Sequence, residues 1–172
     1  MRRGCARSRM SSLVTVALIT AWCFAASPIH AAPNSTESLG SLINKERQAH
    51  SLQPLALDES LCKVARDHAT DMIETGYFGH VSPTGSTLST RLSRANIPFR
   101  KAGENLAGHT SVAKAHAMLM MSAMHRGNIL NPEFHEMGIA VVSGGPYGLM
   151  IVTVFLADTE VDQNAGAVLG GP

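Results

Sequence analysis

Apolar residues recur at three- and four-residue intervals through the first two thirds of the chain and then close into strand-like runs. Leu39, Leu42 and Ile43 share one side of a helix expected from about Ser35 to His50, with Asn34 and Glu37 spaced as a capping box. The stretch Leu52–Leu57, interrupted by Pro54, reads as a connector. A second helix is expected from Asp58 to about Thr75, with Leu61, Val64, Ala65, His68 and Met72 facing inward and Gly76 as its stop. Tyr77 to Asn96 reads as loop, with a turn at Ser82-Pro83-Thr84-Gly85 and a short helix near Leu88–Ala95, and Ile97 to His109 as a further loop. A third long helix is expected from Ser111 to about Met124. Two strands close the pattern. Met137–Ser143 alternates, whereas Tyr147–Leu156 is apolar throughout, as suits a central strand covered on both faces. Gly144-Gly145-Pro146 between them reads as a hairpin turn. Helices first and an antiparallel hairpin last predict an α+β layered domain.

Composition changes this picture mainly at the ends. The basic start MRRGCARSR, an apolar run from about Leu13 to Ala26 and small residues at Ser27, Ala31 and Ala32 follow the order of a secretory signal peptide, assigned to residues 1–31. The run is short for a stable membrane span. The domain is placed at residues 32–157, and residues 158–172, acidic and then Gly/Ala-rich, read as a flexible tail. Without Arg2, Arg3, Arg7 and Arg9 the chain keeps ten basic against thirteen acidic residues, a net charge of −3. That balance speaks against capture of nucleic acid or anionic lipid. Cys5 and Cys23 fall in the leader, so Cys62 alone remains and no internal disulfide is possible. Cys62 borders the apolar stripe of the second helix and reads as a buried filler. Asn34-Ser35-Thr36 matches a glycosylation acceptor that matters only in a eukaryotic secretory pathway.

Three polar segments stand out as candidate chemistry: Gly79-His80-Val81-Ser82-Pro83, Gly103-Glu104-Asn105, and His125-Arg126-Gly127-Asn128 after the third helix. Their spacing forms no local metal motif, so only a fold that converges them makes a site. Two imidazoles and a carboxylate could hold Zn²⁺ or a related ion, act as a general base, or tie loops to helices as a structural network. Ser82 and Ser122 are available hydroxyls without a nucleophile-elbow context. His68 reads as a satisfied core histidine. His50, His109, His116 and His135 have no partner that the sequence names, and Met118, Met120, Met121 and Met124 read as adaptable core packing.

Taken in order, these segments resemble the CAP superfamily, the secreted domains that include cysteine-rich secretory proteins, venom antigen 5 and plant pathogenesis-related proteins. The likeness runs from about Ser38 to Phe155. It rests on Asn44, Arg47, Leu55, Asp58, Leu61, Ala65, His68-Ala69 and Met72, then on His80 to Gly85, Gly103–Asn105, His125–Leu130, Gly138 and the last apolar strand. It is nearest the bacterial branch, which lacks the disulfides of eukaryotic members. The resemblance implies a three-layer α-β-α sandwich with a small central antiparallel sheet, and a cleft of two histidines and two glutamates. His80, His125 and Glu104 match three of these. Ser122 stands where the second glutamate is expected, and Leu119 where a tryptophan is.

The function expected from this is an exported binding module, secreted or periplasmic. Its cleft holds a divalent metal such as Zn²⁺ on His80 and His125, with Glu104 a less certain ligand, or a small polar group. An apolar ligand in a neighbouring groove or a cell-envelope partner is also envisaged, since lipid and sterol binding occurs in the family. Neither nucleic acid nor a membrane span after signal cleavage is expected. The alternatives are a metal-assisted hydrolase of peptide or cell-wall material, with catalytic residues unknown, and a purely structural envelope domain. The missing second glutamate weighs against catalysis.

Overall fold

The computed structural model describes residues 33–158; the expected leader, its cleavage site and the tail beyond residue 158 lie outside the described residues. Helix α1 (Pro33–Ala49) is followed by β1 (Ala56–Leu57), α2 (Glu59–Thr75), α3 (Leu88–Arg94), β2 (Lys101–His109), α4 (Val112–Met121), α5 (Ala123–Ile129), β3 (Glu136–Ser143) and β4 (Leu149–Ala157). The sheet order is β1-β3-β4-β2, with β3 and β2 both antiparallel to β4.

β4 is the spine. Its odd positions Ile151 and Phe155 pack with Leu39, Ile43, Leu119 and Ile129 of α1, α4 and α5. Its even positions Val152 and Val154 pack with Leu61, Ala65, Met72 and Leu92 of α2 and α3. An unbroken apolar strand between two helical layers is what its sequence predicts, and the result is the expected α-β-α sandwich. The α2 layer comes very close to the sheet. A Cβ on Gly138 would lie 2.1 Å from the Leu61 carbonyl carbon, so only glycine fits there.

Caps set several boundaries. Asp58 accepts from the Leu61 amide at 2.8 Å, and Gly76 takes the left-handed conformation (φ 72°) that ends α2. Thr87 and Thr90 form a reciprocal capping box on α3. Cys62 is buried, takes the Ile139 amide hydrogen on its sulfur, and has its thiol pKa raised by burial, in keeping with an inert filler.

The structure corrects several expectations. α1 is described from Pro33, two residues ahead of the expected start near Ser35. The connector contains β1, which adds a short parallel edge to β3. Residues 101–109, read as loop, are a nine-residue strand whose pairing with β4 overrides weak local propensity. The third helix stops at Met121, because Ser122 is extended (ψ 122°) and starts a separate helix carrying His125. Met118, Met121 and Met124 are exposed, since α4 gives Ala115, His116 and Leu119 to the core. The hairpin connection is also longer than Gly144-Gly145-Pro146, closing where the Gly144 amide donates to the Gly148 carbonyl.

Candidate functional site

β2 presents alternate residues to opposite layers. Glu104 turns toward α3 and the loop after α2, whereas Asn105 turns toward α5. The Glu104 side chain is only 3% exposed and both its oxygens are occupied. His80 donates from Nδ1 to Oε1 at 2.8 Å, and Arg91 of α3 donates from Nη2 to Oε2 at 2.7 Å. Arg91 also donates to the main-chain carbonyls of His80, at 3.3 Å, and of Ser86, at 3.1 Å. One guanidinium therefore fixes the carboxylate and the loop that carries the histidine. The His80 side chain remains 53% exposed.

Asn105 makes the link to α5. Its Nδ2 donates to the His125 carbonyl at 2.9 Å, and its Oδ1 accepts from Asn128 Nδ2 at 2.8 Å, which also reaches the Glu104 carbonyl at 3.2 Å. The tight fit of Asn128 Oδ1 and Phe134 against Gly103 leaves a Cβ there only 3.0 Å of room, so the Gly-Glu-Asn order carries geometry as well as chemistry. Arg47 secures the far end of α5. It is fully buried and donates to the carbonyls of Gln53, Ile129, Asn131 and Phe134.

His80, Glu104 and His125 are thus gathered at one edge of the sheet, but not equivalently. His80 and Glu104 touch directly, whereas His125 is joined through main chain and Asn105. Its pKa is lowered by burial first and then by the neighbouring His80. Ser122 and His125 both line a groove of about 350 Å³ whose walls include Phe78, Leu106, Met118 and Tyr147. Tyr147 reaches this position by lying across Gly108, where a Cβ would come within 2.4 Å of its ring, and it meets Phe78 edge to face at 5.4 Å. Ser82 is buried and bonded to Thr84 and the Ser86 amide, holding its turn.

The fit to a metal is poor. Both Glu104 oxygens are taken, one by a permanently charged guanidinium, and among the described residues no three His, Cys, Asp or Glu side chains gather closely enough to hold an ion. Arg91 was not foreseen. One of two arginines on a seven-residue helix looks like any surface cation, and the one local signal is its position beside the inward-facing Leu92. His68 is buried as expected, with Nε2 donating to the Gly79 carbonyl at 3.1 Å, but its Nδ1 has no partner among the described residues.

Two helical layers packed on a central four-stranded sheet make the α-β-α sandwich of a CAP domain. The cysteine-rich secretory protein family matches residues 41–156, and the chain belongs to that family. It is similar to the uncharacterised protein YkwD of Bacillus subtilis (strain 168), 40% identical over 105 residues that make up 60% of this chain and 41% of that protein. Its structure resembles that of an extracellular protein containing an SCP domain from Bacillus anthracis, with a TM-score of 0.65 and 34% identity, covering 73% of this chain and 41% of the other. The fold is shared by an outer surface protein from Borrelia burgdorferi, with a TM-score of 0.71 and 21% identity over 77% of this chain and all of that one. The chain spans about two fifths of the length of the two Bacillus relatives.

Proposed function

We propose that this protein is an exported binding module whose His80–Glu104–His125 edge receives a small polar group through hydrogen bonds. The observation that carries the reading is the saturation of Glu104 by His80 and Arg91, which spends the carboxylate on orienting an exposed imidazole. Glu104 accepts at Nδ1–H, so neutral His80 offers an acceptor at Nε2 and protonated His80 a donor. His125 stands nearby on a separate short helix, and the apolar groove beside it suits the non-polar part of a ligand. Export is supported by the order of the residues at the start of the chain and by the extracellular or outer-surface descriptions of similar proteins. Among the described residues, no helix is long and apolar enough to cross a membrane.

Hydrolysis is the weaker reading. Ser82 is held in its turn, Glu104 is engaged, and neither supplies an activated nucleophile. Calorimetric titration of Zn²⁺ into the protein at neutral pH, beside the His80→Ala/His125→Ala variant, separates the readings. Weak or no binding is expected in both proteins. Micromolar or tighter binding that vanishes in the variant would overturn the hydrogen-bonding reading in favour of a metal site.

A further inference from the structure

The face that α4 and α5 turn outward is rich in sulfur. Met118 and Met121 are 58% and 83% exposed, and Met124, one residue before His125, is 79% exposed. Met72, Met137 and Met150 lie in the core instead, each at most 2% exposed. Ala115, His116 and Leu119 already supply the buried side of α4, so the outward thioethers are not spent on packing. A thioether is a soft, polarisable donor without charge.

Two of these sulfurs meet an imidazole. Met118 and Met121 are three residues apart on one helix, a spacing that leaves about 5–6 Å between Cβ atoms. Their unbranched, flexible side chains let the two sulfurs converge. Met118 and the half-buried His125 line the same groove. Asn105 holds His125 through its main-chain carbonyl, and no hydrogen bond among the described residues engages the ring. The surroundings select the ion. No carboxylate lines the groove, and the charge beside it is positive, since exposed Arg126 donates from Nη1 to the Met120 carbonyl at 3.0 Å. A hard divalent ion finds none of the anionic oxygens it requires, whereas a soft monovalent ion finds fitting donors and meets half the repulsion.

We infer that Met118, Met121 and His125 form a site for a soft monovalent metal ion, Cu(I). The site takes His125 from the edge described above but needs neither His80 nor Glu104, so it does not rest on the function proposed for them.

NMR of the protein carrying ¹³C-labelled methionine methyls, its accessible thiols alkylated with N-ethylmaleimide, tests the inference. Cu(I) is titrated under anaerobic conditions and, separately, Ag(I), a redox-inert ion of the same charge and donor preference. About one equivalent should bind with a dissociation constant roughly in the micromolar range or tighter. The methyls of Met118 and Met121 and the ring of His125 should move on one saturation curve, while the methyls of Met72, Met137 and Met150 stay still. Met118→Leu and Met121→Leu should each weaken binding about tenfold or more. Neither should move the urea midpoint, because leucine keeps the apolar bulk at an exposed position. His125→Ala should weaken binding as well, whereas His80→Ala should bind as the parent does. Zn²⁺ should leave the methyls unmoved. The inference is overturned by absence of saturable methyl shifts with both ions, by leucine variants that bind as the parent does, by loss of binding in His80→Ala, or by an equal response to Zn²⁺. Methyls that shift when the metal-free protein is concentrated, with neither ion adding to the shift, would overturn it in favour of an association face between copies.

Discussion

Glu104 has two oxygens, and each is committed to a different segment of chain: His80 in the loop after α2 and Arg91 in α3. At this depth the pair with Arg91 is costly to break, because removing one partner leaves the other charge buried and uncompensated. Glu104→Ala is therefore expected to destabilise the domain by about 3–5 kcal/mol, read from the urea unfolding midpoint. Glu104→Gln keeps a hydrogen-bond acceptor and should lose less. If Glu104→Ala unfolds at the parent midpoint, the carboxylate does not hold these segments together. His80, by contrast, is half exposed, and His80→Ala is expected to change ligand contacts far more than folding.

Some of this was legible at the level of single residues. His80 and Glu104 stand out because polar residues interrupt the apolar rhythm beside a glycine, and the ordered family motifs pick out His125 with them. Arg91 was not legible, because what distinguishes it is a buried carboxylate thirteen positions away, and nothing local records that distance.

Among the elements, β2 decides most. Its alternation sends Glu104 into one layer and Asn105 into the other, so adjacent residues reach α3 and α5 from one strand. A loop in the same place could not hold the two side chains in fixed opposition. The strand escaped sequence reading because Lys-Ala-Gly-Glu-Asn carries little β-propensity, and its nine-residue pairing with β4 comes from tertiary contact. The break at Ser122 escaped for the converse reason. Ala- and Met-rich sequence on both sides favours helix, and only the packing of α5 against Arg47 and Asn105 turns the chain.

The approach of α2 to β3 gives the clearest prediction at this scale. Gly138→Ala would drive a methyl into the Leu61 backbone, and neither the helix nor the central sheet can move aside cheaply. We expect a loss of about 3 kcal/mol or more, at the upper end of overpacking costs, measured by chemical denaturation. An unchanged midpoint would show that α2 shifts freely over the sheet.

For the molecule as a whole, no disulfide forms among the described residues, where stability rests on the two apolar layers on β4 and on a few buried polar ties. Three histidines, His68, His116 and His125, have pKa values lowered chiefly by burial. In each the folded state holds its proton less tightly than the unfolded chain does, so stability falls as pH drops below about 6.5 and is fully present above it. Glu133, pulled down to about 2 by Lys101 and Arg100, adds a loss in the same direction between its ordinary value of 4.5 and about 2. Urea midpoints should therefore be lower at pH 5.5 than at pH 7.5. A midpoint that rises on acidification would contradict the neutral, buried state of these rings.

What the sequence by itself determined was the set of amphipathic helices, the doubly covered last strand, the fate of Cys62 as a core residue, and the family to which the chain belongs. Those features are local or nearly so: a helical stripe, an apolar run and an ordered series of short motifs each fit within a window of contiguous residues. The tertiary structure alone decided that residues 101–109 are a strand, that Ser122 divides a helix, that Met118, Met121 and Met124 face outward while Met120 packs on the core, and that Arg91 completes the site. Each of these depends on contacts between residues far apart in the chain, whose free energy outweighs local propensity and leaves no mark in the neighbouring sequence.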